Sequence, residues 1–172
     1  MSYRIGFIGA GRVAWHLAPA LKNSGQQIVQ VISRSLSSAK KLGDRAGCSY
    51  SDDLRQLDHT IEILFLTVGD DALVNLIGEI ADFKGMVVHT SGTFPSMAFQ
   101  TSKLRFGVFY PLQTFTMERP LDMSGVPVFI EGCDPAAAGM LTELASGFSC
   151  EIHHVTEEER KWIHLAGVWA SN

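Results

Sequence analysis

Gly9, Gly11 and Ala14 stand as G-x-G-x-x-A within GAGRVA, directly after an apolar run and directly before a stretch with helical spacing. That pattern suits a pyrophosphate. The first glycine permits the tight turn, the second lets backbone approach the phosphates, and the small third residue lets the helix pack close on the strand. The start of the helix adds unpaired N–H groups and a positive dipole end. Gly9, Ala10, Gly11, Arg12 and Val13 are therefore the candidate diphosphate-binding residues. A tight turn with no ligand would explain these glycines only in part.

A site for NAD usually carries Asp or Glu about 20 residues after the glycine loop, where it accepts from the adenosine ribose. Here no acidic residue precedes Asp44, whereas Arg4, Arg12, Lys22, Arg34, Lys40 and Lys41 all do. The segment VISRSLSSAKK instead places Ser33, Arg34 and Ser35 beside the ribose, ahead of a serine-rich helix start. Guanidinium, hydroxyls and free N–H groups suit a 2′-phosphate, so the predicted cofactor is NADP(H). Helix capping by the serines, with a solvated Arg34, is compatible with that role.

Ligands on open α/β sheets lie beyond the carboxyl ends of the strands. LTVGDDAL and VVHTSGTFP supply those ends further along, so Thr67, Val68 and Gly69, then Thr90, Ser91 and Gly92, are expected to face the nicotinamide half. Ser91 is a candidate for contact with cofactor or substrate. Asp70 or Asp71 reads as a helix cap, and His89, on an apolar strand, as a satisfied core histidine. GVFYPLQTF carries Tyr110 and Gln113 into a loop that packs as a Tyr-Pro turn. His153 and His154 are adjacent, and neighbours in a strand point to opposite faces, which argues against a metal site.

These residues need a scaffold. YRIGFIG, QIVQVIS, IEILFLTV, GMVVHT, LRFGVFY and VPVFIE read as strands; GRVAWHLAPALKNSG, SLSSAKKLGDRAG, DDALVNLIGEIADF and DPAAAGMLTELASGF read as helices. Such alternation predicts an α/β fold, a doubly wound and mostly parallel sheet with helices on both faces. Pro19 sits inside the first helix and should kink it or end it early.

Composition narrows the partners. At 172 residues and 46% hydrophobic the chain can bury a substantial core, and a net charge of −4 without a basic stripe argues against nucleic acid or anionic membrane. No run approaches the ~20 apolar residues that span a bilayer, and no signal-peptide pattern opens the chain. Three cysteines, Cys48, Cys133 and Cys150, without C-x-x-C spacing suit reduced thiols in a cytoplasm.

Near the end, Thr156 to Glu159 form the capping box T-x-x-E, and from Trp162 onward the helix is apolar on nearly every side. His164, Val168 and Asn172, four apart, line one face. With FIGAGRVAWHLAPAL, VISRS, FLTVGDDAL, VVHTSG, GVFYPLQTF, VPVFIEG and ERKWIHLAGVWASN, the chain resembles Rossmann-like NADP oxidoreductases of the 6-phosphogluconate-dehydrogenase-like superfamily. These are related to deazaflavin-dependent NADP reductases and pyrroline-5-carboxylate reductase, and many have His where this chain has Tyr110.

The resemblance implies an NADP-binding domain over residues 1–154 and, over 155–172, the start of an all-helical domain that closes the active site and forms a homodimer in a longer protein. It also implies hydride transfer with a small-molecule substrate, His164 as proton donor and Asn172 as substrate-orienting group. A second reading is a non-catalytic nucleotide-binding module. A third is an enzyme completed by pairing of the Trp162/Trp169 helix.

Overall fold

Eight strands form one sheet in the order β3-β2-β1-β4-β5-β6-β7-β8 in the computed structural model, which describes residues 1–100 and 102–171. The strands are β1 (Arg4–Ile8), β2 (Gln27–Ile32), β3 (Ser49–Ser51), β4 (Ile63–Leu66), β5 (Met86–His89), β6 (Arg105–Pro111), β7 (Pro127–Gly132) and β8 (Glu151–His154). The helices are α1 (Arg12–Asn23), α2 (Leu36–Ala46), α3 (Asp70–Glu79), α4 (Met97–Gln100), α5 (Pro135–Ser146) and α6 (Glu157–Ser171), with a 3-10 turn at Leu54–Gln56.

The fold is the expected doubly wound sheet, parallel from β3 through β6. β7 then runs antiparallel to β6, and β8 lies parallel to β7. The chain passes from β1 outward to β2 and β3, then returns to place β4 on the other side of β1. The carboxyl ends of β1 and β4 thus flank the point where the winding reverses, where open α/β sheets take ligands.

Alternate residues explain the layers. Phe7, Phe65 and Phe109 point to one face and bury with Leu17 and Leu21 of α1, Leu42 of α2 and Leu141 of α5. Leu64, Leu66, Val87 and Phe106 point to the other and bury with Leu73 and Ile77 of α3 and Phe99 of α4. On that second face Val108, Tyr110 and Phe129 form a smaller cluster with Ile163 of α6.

Pro19 does not end α1, which continues to Asn23. An interior proline costs about 3 kcal/mol, yet Leu17 and Leu21 are fully buried, and each such side chain returns about 1.5–3 kcal/mol. β3, β8 and α4 are not among the elements read from the sequence. Among the described residues no helix is long and apolar enough to cross a membrane.

Candidate functional site

At the winding reversal, Gly9 has φ +105°, and a Cβ there would sit 2.5 Å from the Thr67 carbonyl oxygen. The Thr67 hydroxyl donates to the Gly9 carbonyl at 3.0 Å, and the Thr67 amide to Ile8 at 2.8 Å. The glycine turn is thereby sewn to the end of β4. Gly11 is the N-cap of α1 and supplies no side-chain cap, and no acidic residue occupies the first turn. The amides of Arg12, Val13 and Ala14 are left to an outside acceptor, which is what an anion site at a helix start requires. Arg12 is exposed and Val13 half-buried; Ala10 and Ala14 are buried against the sheet.

One strand over, the end of β2 leads into Ser33, Arg34 and Ser35. The Ser35 hydroxyl caps α2, accepting from the Ser38 amide at 3.3 Å and from the Ser38 hydroxyl at 3.1 Å. Arg34 is exposed and forms no ion pair among the described residues. Residues 33–35 carry no carboxylate themselves; Asp52 and Asp53 follow the neighbouring strand β3, and Asp53 is paired with Arg55.

On the other side, Thr67, Val68 and Gly69 follow β4, and Gly69 caps α3 without a side-chain bond. Asp70 and Asp71 correct the expectation of a cap: both lie inside the first turn, and Asp70 accepts from the Thr93 hydroxyl at 2.6 Å. The Ser91 hydroxyl accepts from the amides of Thr93 and Phe94 at 3.1 and 2.9 Å. Its lone pairs hold the turn after β5.

One histidine differs from expectation. His89 is fully buried but only half satisfied: Nδ1 accepts from the Ser91 amide at 3.2 Å, while Nε2 has no partner among the described residues. Burial, and secondarily the nearby Arg160 charge, pushes its pKa down to about 3, so it stays neutral. His153 and His154 serve the sheet's edge. His153 stacks on Phe129, and His154 meets the Thr142 hydroxyl at 3.3 Å.

The sequence placed Tyr110 in a loop. It is instead a buried residue of β6 whose hydroxyl lies 2.8 Å from His164 Nδ1. The two line a cavity of about 280 Å³ with Leu112, Gln113, Thr114, Gly167 and Val168. Burial raises the Tyr110 pKa against the opposing pull of Arg160, keeping the phenol protonated and able to donate. His164 reaches this position because Gly92 lacks a side chain: a Cβ there would lie 2.5–2.6 Å from the imidazole and 2.8 Å from the His164 Cβ.

Gly92→Ala should therefore cost about 1–3 kcal/mol in denaturant unfolding. Part of that cost should disappear in a His164→Ala background, which removes the ring but keeps a Cβ 2.8 Å away, a coupling that a double-mutant cycle measures.

The start of α6 holds the Thr156–Glu159 capping box as expected, the Thr156 amide donating to Glu159 at 2.8 Å. Outward from the sheet, Trp162 is 64% and Trp169 80% exposed, so the apolar side of α6 is uncovered in this chain. Asn172 lies outside the described residues. Arg160, Glu131 and Ser96 were missed by the sequence reading. Arg160 is fully buried beside Glu131, at 3.3 Å, and it lies four residues before His164. A charge four before a candidate catalytic residue on an apolar helix was the available signal.

The strand order sets these groups side by side. Successive strands are about 4.8 Å apart. Ser33–Ser35, the glycine loop, Thr67–Gly69, Thr90–Gly92 and Tyr110 thus follow one another along the carboxyl edge. Carboxyl ends of β1 and β5, two spacings apart, are separated by about 10 Å, a span that a diphosphate, ribose and ring can cover.

Comparison with known proteins agrees with this fold. A Bacteroides fragilis protein named as a candidate NADP oxidoreductase is 34% identical with TM-score 0.94, over 98% of this chain and 66% of that one. A prephenate dehydrogenase from Aquifex aeolicus, solved with hydroxyphenyl propionate and NAD+, is 13% identical with TM-score 0.82, over 95% of this chain and 63% of that one. A pyrroline-5-carboxylate reductase from Coxiella burnetii is 16% identical with TM-score 0.71, over 99% and 78%. The latter two likenesses show the fold. The chain spans just under two thirds of the Bacteroides protein.

No curated protein matches significantly. Residues 126–172 match a domain of unknown function, DUF2520. Residues 1–102 match the model of the Rossmann-like domain, and the chain belongs to that family.

Proposed function

We propose that the chain is the cofactor-binding part of an NADP(H)-dependent oxidoreductase acting on a small molecule, with residues 1–154 holding the dinucleotide and residues 155–172 beginning a second, helical domain. The uncapped start of α1, beside the Gly9–Thr67 contact, carries this reading. It offers free amides at the winding reversal and leaves no room for a side chain. NADP(H) there would supply or accept the hydride.

Backbone of Gly9, Ala10 and Gly11 with Arg12 and Val13 would bind the diphosphate, and Ser33, Arg34 and Ser35 a 2′-phosphate. Thr67, Val68, Gly69 and Ser91 would orient the nicotinamide end. The Bacteroides relative supports NADP by its name, and the Aquifex complex shows that the same fold takes NAD+.

Proton handling falls to Tyr110 and His164. With the Tyr110 hydroxyl donating to Nδ1, the His164 proton sits on Nε2 and is the one available to a substrate. Asn172, by resemblance, would orient that substrate. The neutral polar lining from Tyr110, Gln113 and Thr114 suits a carbonyl, imine or hydroxyl as the reacting group. Homodimerisation of a longer protein would cover the Trp162 and Trp169 side of α6.

Titration with NADPH and NADH tests the cofactor assignment. The parent should bind NADPH more tightly, and Arg34→Ala should lower that preference about 10- to 100-fold, the value of one charge-assisted bond. Equal binding of both by the parent would count against the 2′-phosphate site. Binding of both without oxidation of NADPH by small carbonyls or imines, in this chain and in a longer one, would favour a nucleotide-responsive module.

A further inference from the structure

Arg160 is a costly residue to bury. Its guanidinium is fully enclosed between α6, the turn after β5 and the end of β7. Nη1 donates to the Ser91 carbonyl at 2.9 Å and Nη2 to the Phe94 carbonyl at 3.0 Å. Nε and Nη2 each reach Glu131 at 3.3 Å, and Nη2 also faces the Ser96 hydroxyl at 3.5 Å. Ser96 in turn donates its hydroxyl to Glu131 and its amide to Glu157 of α6, the latter at 2.8 Å.

Replacing such an enclosed pair by apolar side chains is often neutral or stabilising, so stability alone is a poor account of it. Direction is the better one. The planar fork of arginine presents five donors at fixed angles and can address several acceptors at once, which an ammonium on a flexible stem cannot. Here the acceptors belong to two separate pieces of chain, the 91–96 turn and β7. Both flank the place where His164 must lie. His164 is one helical turn beyond Arg160 on the same face, against Gly92 and 2.8 Å from the Tyr110 hydroxyl.

We propose that Arg160 is a positioning residue: its guanidinium locks the first turn of α6 to the 91–96 turn and β7, and so holds His164 at hydrogen-bond distance from Tyr110. Arg160 lines neither the cavity nor the glycine loop and touches no reacting group. Its functional weight rests on the reading of Tyr110 and His164 as the proton-handling pair; its geometric role does not.

The test is the imidazole signature of His164 in nitrogen–proton correlation spectra of the 172-residue chain, assigned through His164→Gln. Tyr110→Phe, which deletes the bond to Nδ1, gives the reference for an unpaired ring. Arg160→Met and Arg160→Lys should both move the His164 signal to that reference while far-UV circular dichroism stays that of the parent. Lysine should fail to restore the bond although it keeps the charge. A parent-like signal in folded Arg160→Met overturns the proposal, and a parent-like signal in Arg160→Lys overturns the role of the fork.

Should neither Arg160 variant fold, Ser96→Ala removes one partner of the network and leaves the guanidinium its carbonyls. A shift of the His164 signal part of the way to the Tyr110→Phe position supports the proposal, and an unchanged signal overturns it. Failure of NADPH to bind the parent would sink the cofactor reading and leave this test intact, because the imidazole signal requires no cofactor.

Discussion

Gly9→Ala is expected to abolish dinucleotide binding and to destabilise the chain by about 3–5 kcal/mol. Two independent costs add. The backbone at position 9 has φ +105°, where an L side chain is strained. The new methyl would also stand 2.5 Å from the Thr67 carbonyl oxygen and 2.8 Å from its carbon. The obstructing atoms are backbone at the end of a central strand, so they cannot swing aside. Relief requires lifting the turn away from β4, which moves the free amides of α1 out of register with an anion. Gly11→Ala is the control: its Cβ would meet only the Thr67 oxygen, at 3.9 Å. Urea unfolding of the two variants should separate sharply, with Gly11→Ala keeping the parent's stability to within about 1 kcal/mol while its NADPH affinity falls with that of Gly9→Ala.

Acid should weaken the fold through His89, and His89→Phe should remove that sensitivity. The folded-state pKa is pushed down to about 3 from the ordinary 6.5, first by burial and then by the Arg160 charge. Above pH 6.5 the ring is neutral in both states and the full stability is present. Below it the unfolded chain takes up a proton that the folded chain refuses. Stability is therefore lost with falling pH at up to about 1.4 kcal/mol per pH unit, until the folded pKa is reached.

The ring lies between Phe94 and Phe99, parallel to the second at 5.7 Å. Phenylalanine keeps that stacking and discards the orphaned Nε2 donor, at the loss of an acceptor for the Ser91 amide. At pH 8 the two proteins should differ by about 1 kcal/mol or less. At pH 4 the variant should be more stable by about 3 kcal/mol. Equal slopes of unfolding free energy against pH would refute the assignment. Carboxylates such as Asp134, held at about 2 by Arg105, the Ala137 amide and Cys133, titrate alike in both proteins and cancel in the comparison.

The parts of this architecture written in neighbouring residues were readable in the sequence. Strands such as Ile63–Leu66 are covered on both faces and announce themselves as unbroken apolar runs. The glycine turn and the capping box at Thr156 are short-range geometries with residue requirements of their own. β3 and β8 sit at the two edges, where Ser49, Glu151, His153 and His154 face water and erase the apolar signal. Pro19 argued for an early stop to α1 because a local rule was applied where tertiary burial decided the outcome.

The site divides the same way. Residues 9–13 and 33–35 are candidates from spacing alone, whereas the partnership of Tyr110 and His164 joins positions 54 apart and exists only once α6 lies on β6. His89 shows the limit of residue-type expectations. It is a core histidine, but the pairing of both ring nitrogens depends on what surrounds it, and here two phenylalanines leave one without a partner.

The reversal of the last two strands has a mechanical corollary. Because β7 and β8 run against β6, the chain leaves the sheet near the level of Ile130 and must climb back to the carboxyl edge as α6. That rod is pinned at its foot and works at its upper end. Four residues of helix span about 6 Å, so a tilt of roughly 10° at the Arg160 pivot would carry the imidazole about 1 Å, the scale on which misplaced reacting groups lose about 100-fold in rate. Weight bearing on the upper part of the rod, from whatever rests against Trp162 and Trp169, would be transmitted to the His164 ring as leverage.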